Sequence, residues 1–173
     1  MSKRPTAEDI QAAAAVLNKL EPGYLPPEIF FAVARLCVLT TVEMVPLRMR
    51  NGRVEVLLTR RPADDPNWPD MLHVPGTILR PSDEENNYHS AFDRIFQDEL
   101  PGITVISRPQ FLETRFHQVQ RGRESALIHY VEVAGTTPEA EYYPVALLPP
   151  EIIDHQVSFI KSAADRFGQS QPR

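Results

Sequence analysis

Seventeen prolines punctuate this chain, and their placement limits the fold more than any other feature. Proline lacks a backbone donor and clashes with the preceding helical turn, so it stops long helices and central strands. Glu21-Pro22-Gly23, Pro26-Pro27, the stretch from Pro62 to Pro69, Pro75-Gly76, Leu100-Pro101-Gly102 and Pro149-Pro150 cut the chain into short elements. A helical bundle is thereby argued against, and the hydrophobic period between the cuts has to say what replaces it.

Thr6 to Leu20 reads as a helix. Thr6 with Asp9 resembles a capping box, the alanine run favours helix, and Ile10, Ala13, Ala14 and Leu17 form a stripe. A second short helix is expected to begin at Pro26-Pro27 and continue through Leu36. From Val42 the period changes to two. Val42 to Met49 and Val54 to Thr59 read as strands joined by a turn at Asn51-Gly52, a strong hairpin signal. A proline-rich loop surrounds Trp68, and Met71 to Val74 is a short apolar piece. Tyr88, Ala91, Phe92, Ile95 and Phe96 mark an amphipathic helix ending at Leu100-Pro101-Gly102. Phe111 to Val119 and Leu127 to Val133 read as strands joined by a basic turn, Gln120 to Glu124. Tyr142 to Leu148 reads as a short strand, and Ile152 to Phe167 as a C-terminal helix. The order implies an α+β fold with a mixed or antiparallel sheet packed by helices. Residues 1–40 are expected to form a helical extension, 41–168 the main domain, and 169–173 a flexible tail.

Charge and cysteine usage narrow the function classes. The net charge of −5 does not advertise nucleic acid or an anionic membrane as partner. One cysteine, Cys37, rules out an internal disulfide and reads as a buried, inert thiol. No apolar run approaches membrane-spanning length, so a soluble, cytoplasmic protein is expected. No phosphate-cradling glycine loop, dinucleotide fingerprint or nucleophile elbow occurs.

The chemistry concentrates between Pro75 and Ile103. Asp98 and Glu99 stand at the end of the amphipathic helix, one turn after Arg94, with a proline-glycine turn ahead of the whole unit. Adjacent helical residues point about 100° apart, so the two carboxylates share an ion only at the helix edge. Carboxylate oxygens suit a hard divalent cation such as magnesium. The bland alternative is a solvated acidic face paired with Arg94.

This arrangement resembles the Nudix hydrolase family, whose box reads G-x5-E-x7-R-E-U-x-E-E-x-G-U, with U a bulky aliphatic residue. The likeness covers roughly Val42 to Phe167. Gly76 matches the first glycine, Arg94 the arginine, Phe96 the bulky position, Asp98 and Glu99 the acidic pair, and Ile103 the last aliphatic. The box is degenerate. The stretch from Gly76 to Arg94 is about four residues too long, and Pro101 is an insertion before Gly102. Asp83, Glu84 or Glu85 stand in for the early glutamate. Ile95 replaces the glutamate after the arginine, one turn before positions 98 and 99, where an acid would complete a three-carboxylate cluster. The run Ala91 to Ile95, Glu99-Leu100 and His129-Tyr130-Val131 also resemble the GDP-mannose mannosyl hydrolase type. That type takes a histidine base from a late loop. The corresponding segment here, Gly135 to Glu141, has none; Glu139 or Glu141 stands in as base, or both are charged ornament of the loop.

The resemblance implies an α/β/α sandwich and two rival functions. One is a hydrolase of a nucleoside diphosphate linked to another moiety, using Mg2+ or Mn2+. Gly76, Asp98 and Glu99 would then hold the cation, Arg94 orient the acidic pair, and Arg60 or Arg61 grip phosphate. Arg80, Arg121 and Arg123 are further clamps. The other is a catalytically impaired module that binds a nucleotide or a protein partner. A chance match by an unrelated α+β domain stands behind both. His73 faces the pocket or is a satisfied core histidine, and Trp68 stacks on substrate or staples its loop. His117 and His129 sit on strands, while His89 and His155 read as helix-surface residues. No histidine pair has zinc spacing. The two N-terminal helices cover the cleft or build a homodimer interface. The expected partner is a small nucleotide derivative, with neither nucleic acid nor membrane.

Overall fold

The structure, a computed structural model, describes residues 4–23, 25–85 and 87–170. Two helices, α1 (Ala7–Leu17) and α2 (Pro27–Leu36), precede the strands β1 (Val38–Arg50), β2 (Arg53–Arg60), β3 (Leu72–His73) and β4 (Gly76–Ile78). Helix α3 (His89–Asp98) is followed by β5 (Thr104–Val105), β6 (Gln110–Val119), β7 (Gly122–Ala134) and β8 (Ala140–Pro144). A 3-10 turn (Val145–Leu147) then leads to α4 (Asp154–Ser170). Gln169 and Ser170, expected in the tail, are thus helical, and residues 171–173 lie outside the described residues.

The strands form one mixed sheet in the order β3-β2-β1-β7-β5, with β4 on β1, β6 on β7 and β8 on β2. Among the strand pairs of the described residues, only β1 and β7 run parallel. Alternation along β1 sends Val42 and Met44 to one face and Thr41, Glu43, Val45 and Leu47 to the other. On the first face α3 packs Ala91 and Ile95 with Val131 and Val133. On the second α4 packs Phe159, Ile160, Ala163 and Phe167 against Val45, Leu47 and Ile128. The expected α/β/α sandwich is present.

The β1–β2 hairpin turns through Asn51 and Gly52, both at positive φ (51° and 73°), as an Asn-Gly turn demands. Its strands pair only near that turn, from Leu47↔Val56 to Arg50↔Arg53. Further along they splay. β3 pairs β2 at Thr59↔His73, and β4 pairs β1 at Glu43↔Gly76. Pro75 and Gly76 therefore occupy the notch where the two strands part.

Three sequence expectations change. β1 begins at Val38 rather than Val42, because Val38 to Thr41 already pair with Arg123 to Ala126 of β7. The basic turn shrinks to Gln120 and Arg121, with Val119 paired to Gly122. Cys37 is exposed, since it caps α2 where the chain leaves the helix. The capping box of α1 forms as read, Thr6 N–H donating to Asp9 (2.8 Å) and Asp9 N–H to Thr6 (3.2 Å). Its stripe, however, is not buried. Helix α2 is firmly seated. A Cβ on Gly122 would lie 2.1 Å from the Ala34 carbonyl oxygen, so only glycine admits the helix's last turn there.

Candidate functional site

A cavity of about 740 Å³ opens on the second face of the sheet, roofed by α2 with Pro27, Phe30, Phe31 and Val33. Its floor is Thr41 and Glu43 of β1 with Gly76 to Ile78, and its walls carry Arg61, Trp68, His73, Arg80, Arg121, Glu124, His155 and Gln156. Helix α2 of the N-terminal extension thus covers the cavity, while no residue of α1 lines it.

Gly76 is the hinge of the site. In an antiparallel pair, hydrogen-bonded and non-bonded positions alternate. Met44 N–H reaches the Pro75 carbonyl (2.9 Å) and Leu79 N–H the Thr40 carbonyl (3.0 Å), which leaves Gly76 at a non-bonded position. Its amide and carbonyl turn away from β1, and its N–H donates to Glu99 Oε1 (3.2 Å). Glu99, at the C-terminal cap of α3, is 25% exposed, with Oε2 3.9 Å from His73 Nε2. Burial, foremost, and the neighbouring Asp98 charge raise its carboxyl to about 7, against the Gly76 hydrogen bond and Arg61.

Glu43 approaches the same glycine from the other side. A Cβ on Gly76 would meet Glu43 Oε2 at 2.7 Å. Glu43 is half-buried and lines the cavity. Burial, and then the Glu124 charge, push its carboxyl up to about 8. Gln156 bridges the two chain segments, donating to Glu43 Oε2 (3.4 Å) and accepting from Val74 N–H (2.9 Å).

His73 is a buried, neutral histidine, its pKa lowered to about 4 chiefly by desolvation and then by Arg61. Nδ1 lies 2.7 Å from the Val74 carbonyl and Nε2 2.9 Å from the Thr59 hydroxyl. A carbonyl only accepts, so the proton sits on Nδ1 and the Thr59 hydroxyl donates to Nε2.

Arg94 does not reach the acidic pair. Its guanidinium donates to both Asp83 oxygens (NH2 to Oδ2 at 2.9 Å) and to the carbonyls of Ile78 (3.2 Å) and Ser90 (3.4 Å). Of the three acids named for the lengthened loop, Asp83 is the one that meets Arg94, and it ties that loop to α3. This ion pair, with help from the Arg80 amide, holds Asp83 at about 2. A depressed carboxylate stabilises the fold above its unfolded pKa and loses that stabilisation as pH falls through its folded value. Asp83→Asn is expected to cost about 1–3 kcal/mol at neutral pH, with the difference from the parent vanishing between about pH 4 and pH 2. Denaturant titrations of both proteins across that range check it; a constant offset would contradict the pairing.

The remaining expected residues divide clearly. Arg61 lines the cavity, and its Nε holds Asp65 (2.9 Å). Asp65 in turn accepts from the Asn67 and Trp68 amides, 2.9 Å each. Asp65 therefore staples the loop, and the Trp68 ring is left to line the cavity beneath Arg121, 5.3 Å from guanidinium carbon to ring centroid. Arg60 turns away and donates to the Asp70 carbonyl. Asp98 is exposed on α3. Glu139 accepts from Thr137 and Glu141 from Tyr143, and neither lines the cavity. Arg123 is likewise outside it. His155, read as a surface residue, faces the cavity, its ring 4.6 Å from that of His117. Ile95 is 1% exposed and packs with Val42 and Met44, so an acid there would face the core rather than Glu99.

Glu43, Thr41, Glu124 and Gln156 were not singled out by the sequence. A charged residue within Val42-Glu43-Met44-Val45 was the available signal, since a strand buried on both faces rarely carries one. Among the described residues, no three histidine, cysteine or acidic side chains converge as a metal site. Two carboxylates and the outward-turned Gly76 backbone remain, a hard-oxygen set that fits one magnesium-type ion still keeping several waters.

The fold of this chain is that of a Nudix domain. The Nudix domain of Shewanella oneidensis NrtR, solved with ADP ribose, superposes with a TM-score of 0.60 at 18% identity, over 89% of this chain and 97% of that one. The Caenorhabditis elegans Ap4A hydrolase gives 0.56 at 13% identity, over 76% of this chain and 99% of that one. NrtR solved with a 27mer DNA gives 0.56 at 19% identity, and the match spans 75% of this chain and 62% of that one. No family sequence profile and no curated protein sequence matches this chain. Among the described residues no helix is long and apolar enough to cross a membrane.

Proposed function

We propose that this chain is a divalent-cation-dependent hydrolase acting on a nucleoside diphosphate linked to a second moiety. The observation that carries the reading is Glu99, held by the amide of Gly76, which itself lines the cavity under α2. Glu99, Asp98 and the Gly76 carbonyl would hold Mg2+ or Mn2+, which when bound offsets the charge developing on the diphosphate. Arg61 and Arg121 present guanidinium groups to phosphate oxygens, a geometry suited to bidentate contact. Trp68 and the α2 roof take the organic part of the ligand. The Thr59–His73 pair fixes the backbone turn into Pro75 and Gly76, so that the carboxylate arrives at a rigid notch. Glu139 and Glu141 stay outside this arrangement, and no proton transfer is assigned to them. The reading carries with it a cytoplasmic location and a small-molecule partner.

A second reading, a binding module without turnover, is favoured by the burial of Ile95, which leaves α3 without the third carboxylate. Titration calorimetry with nucleoside diphosphate compounds, starting from ADP ribose, tests what both share. Binding to the cavity is expected with at least one compound. Arg61→Lys is expected to weaken it about tenfold, because lysine keeps the contact to Asp65 but loses the fork. Absence of binding across the panel would sink both readings.

A further inference from the structure

We infer that Glu43, supplied by β1 in place of α3, is a carboxylate ligand of this site and binds the same divalent cation as Glu99. The inference rests on the proposed cation dependence and adds a ligand to it. On α3 the position one turn before Asp98 and Glu99 is Ile95, and its side chain is locked in the core with Val42 and Met44. The helix therefore offers no carboxylate at that position, and Asp93 and Asp98 both stand out in solvent. Across the notch, Glu43 lies at the register position opposite Gly76 and rests its carboxyl against the glycine's α-carbon. A methyl group at residue 76 would occupy that space. Glu99 holds the N–H of the same residue. Two acids thus meet at one glycine, Glu43 on the side where a Cβ would project and Glu99 at its N–H.

Among the described residues neither forms an ion pair with a lysine or arginine; the Arg61 and Arg121 charges reach Glu43, and the Arg61 charge Glu99, only from a greater distance. Among the described residues Glu43 has a single hydrogen-bond partner, the neutral Gln156 amide. Glu99 has a backbone amide and a neutral histidine. The nearby Glu124 is already committed to Arg121 and His117. Holding two partly buried carboxylates at one glycine with only distant positive charge is costly, and a bound cation is what such a pair would be shaped to receive. Thr41 gives an independent sign. It lies two residues along the same strand face, lines the same cavity, is 1% exposed, and its hydroxyl has no partner. Buried hydroxyls without partners are rare; the oxygen of a cation-bound water would satisfy this one. The Gly76 carbonyl, turned away from β1, completes a set of oxygens only.

The test uses Mn2+ alone. Free Mn2+ is followed by electron paramagnetic resonance during titration of the wild-type chain, Glu43→Gln and Glu99→Gln. The expected result is binding by the wild type and about tenfold or greater weakening in each variant. Melting of Glu43→Gln without Mn2+ is expected to match the wild type, because glutamine keeps the shape and the contact to Gln156. A measurement on the wild type stands independent of any folding defect. Mn2+ is expected to broaden the Gln156 side-chain amide resonance early in an NMR titration, since that amide touches Glu43. Wild-type affinity in a folded Glu43→Gln, or an unbroadened Gln156 amide while Glu99→Gln loses binding, would overturn the inference and leave cation dependence standing. No Mn2+ binding by the wild type would overturn both.

Discussion

Glu99→Gln is expected to lower cation-dependent turnover by about 100-fold or more while leaving the fold intact. Glutamine is isosteric, and its amide oxygen still accepts from the Gly76 N–H, so the notch keeps its geometry. What disappears is the negative charge. The carboxyl stands at about 7 without a cation because desolvation opposes its ionisation, and that cost is offset only when a counter-charge arrives. The variant should therefore melt as the parent does, or slightly higher in the absence of cation. Steady-state nucleotide or phosphate release, measured beside circular dichroism melting, separates the two effects. A folded variant with parental turnover would place the chemistry elsewhere.

Gly122→Ala is expected to have the largest structural effect in the chain. Two costs coincide at this residue. Its φ of 153° lies in a region essentially reserved for glycine. A Cβ would also stand 2.1 Å from the Ala34 carbonyl oxygen and 2.9 Å from its carbon, and a backbone group cannot swing aside as a side chain can. Overpacking and strain together amount to about 3 kcal/mol. The chain has two ways to respond. It loses global stability, or α2 lifts from the β6–β7 turn and opens the cavity roof. Urea denaturation reports the first, and protease cleavage between Pro27 and Cys37 the second. Gly52→Ala is the comparison. It also has positive φ but nothing within 4 Å, so only about 1 kcal/mol is expected. Unchanged stability and unchanged protection of α2 in Gly122→Ala would contradict the packing described.

What could be read from the sequence follows the range of the interactions involved. The Asn51–Gly52 turn, the Thr6–Asp9 cap and the helix stop at Leu100-Pro101-Gly102 depend on neighbours, and all appear where local chemistry put them. The pairing of Gly76 with Glu99 was legible because it lies within one continuous motif. Glu43 was not, because its site is assembled from β1, β4, α3 and α4. Its bond to Gln156 spans 113 positions, and register across that distance has no signature in a single sequence. The stripe on α1 shows the reverse failure. Helical period was read correctly, but period says which face is apolar, not whether anything covers it. Arg94 shows a third kind. An arginine one turn from two acids invites an i,i+4 reading, yet the lengthened loop brings Asp83 closer, and bidentate geometry decides.

A cation held at the Glu99 notch is proposed to serve hydrolysis of a nucleoside diphosphate derivative lodged under α2. The most direct measurement is nucleotide or phosphate release from a panel of such compounds, with Mg2+ and Mn2+ titrated from zero. Release from at least one compound is expected, absent without cation and saturating as cation is added. No release from any compound at any cation concentration, together with no cation binding, would contradict it.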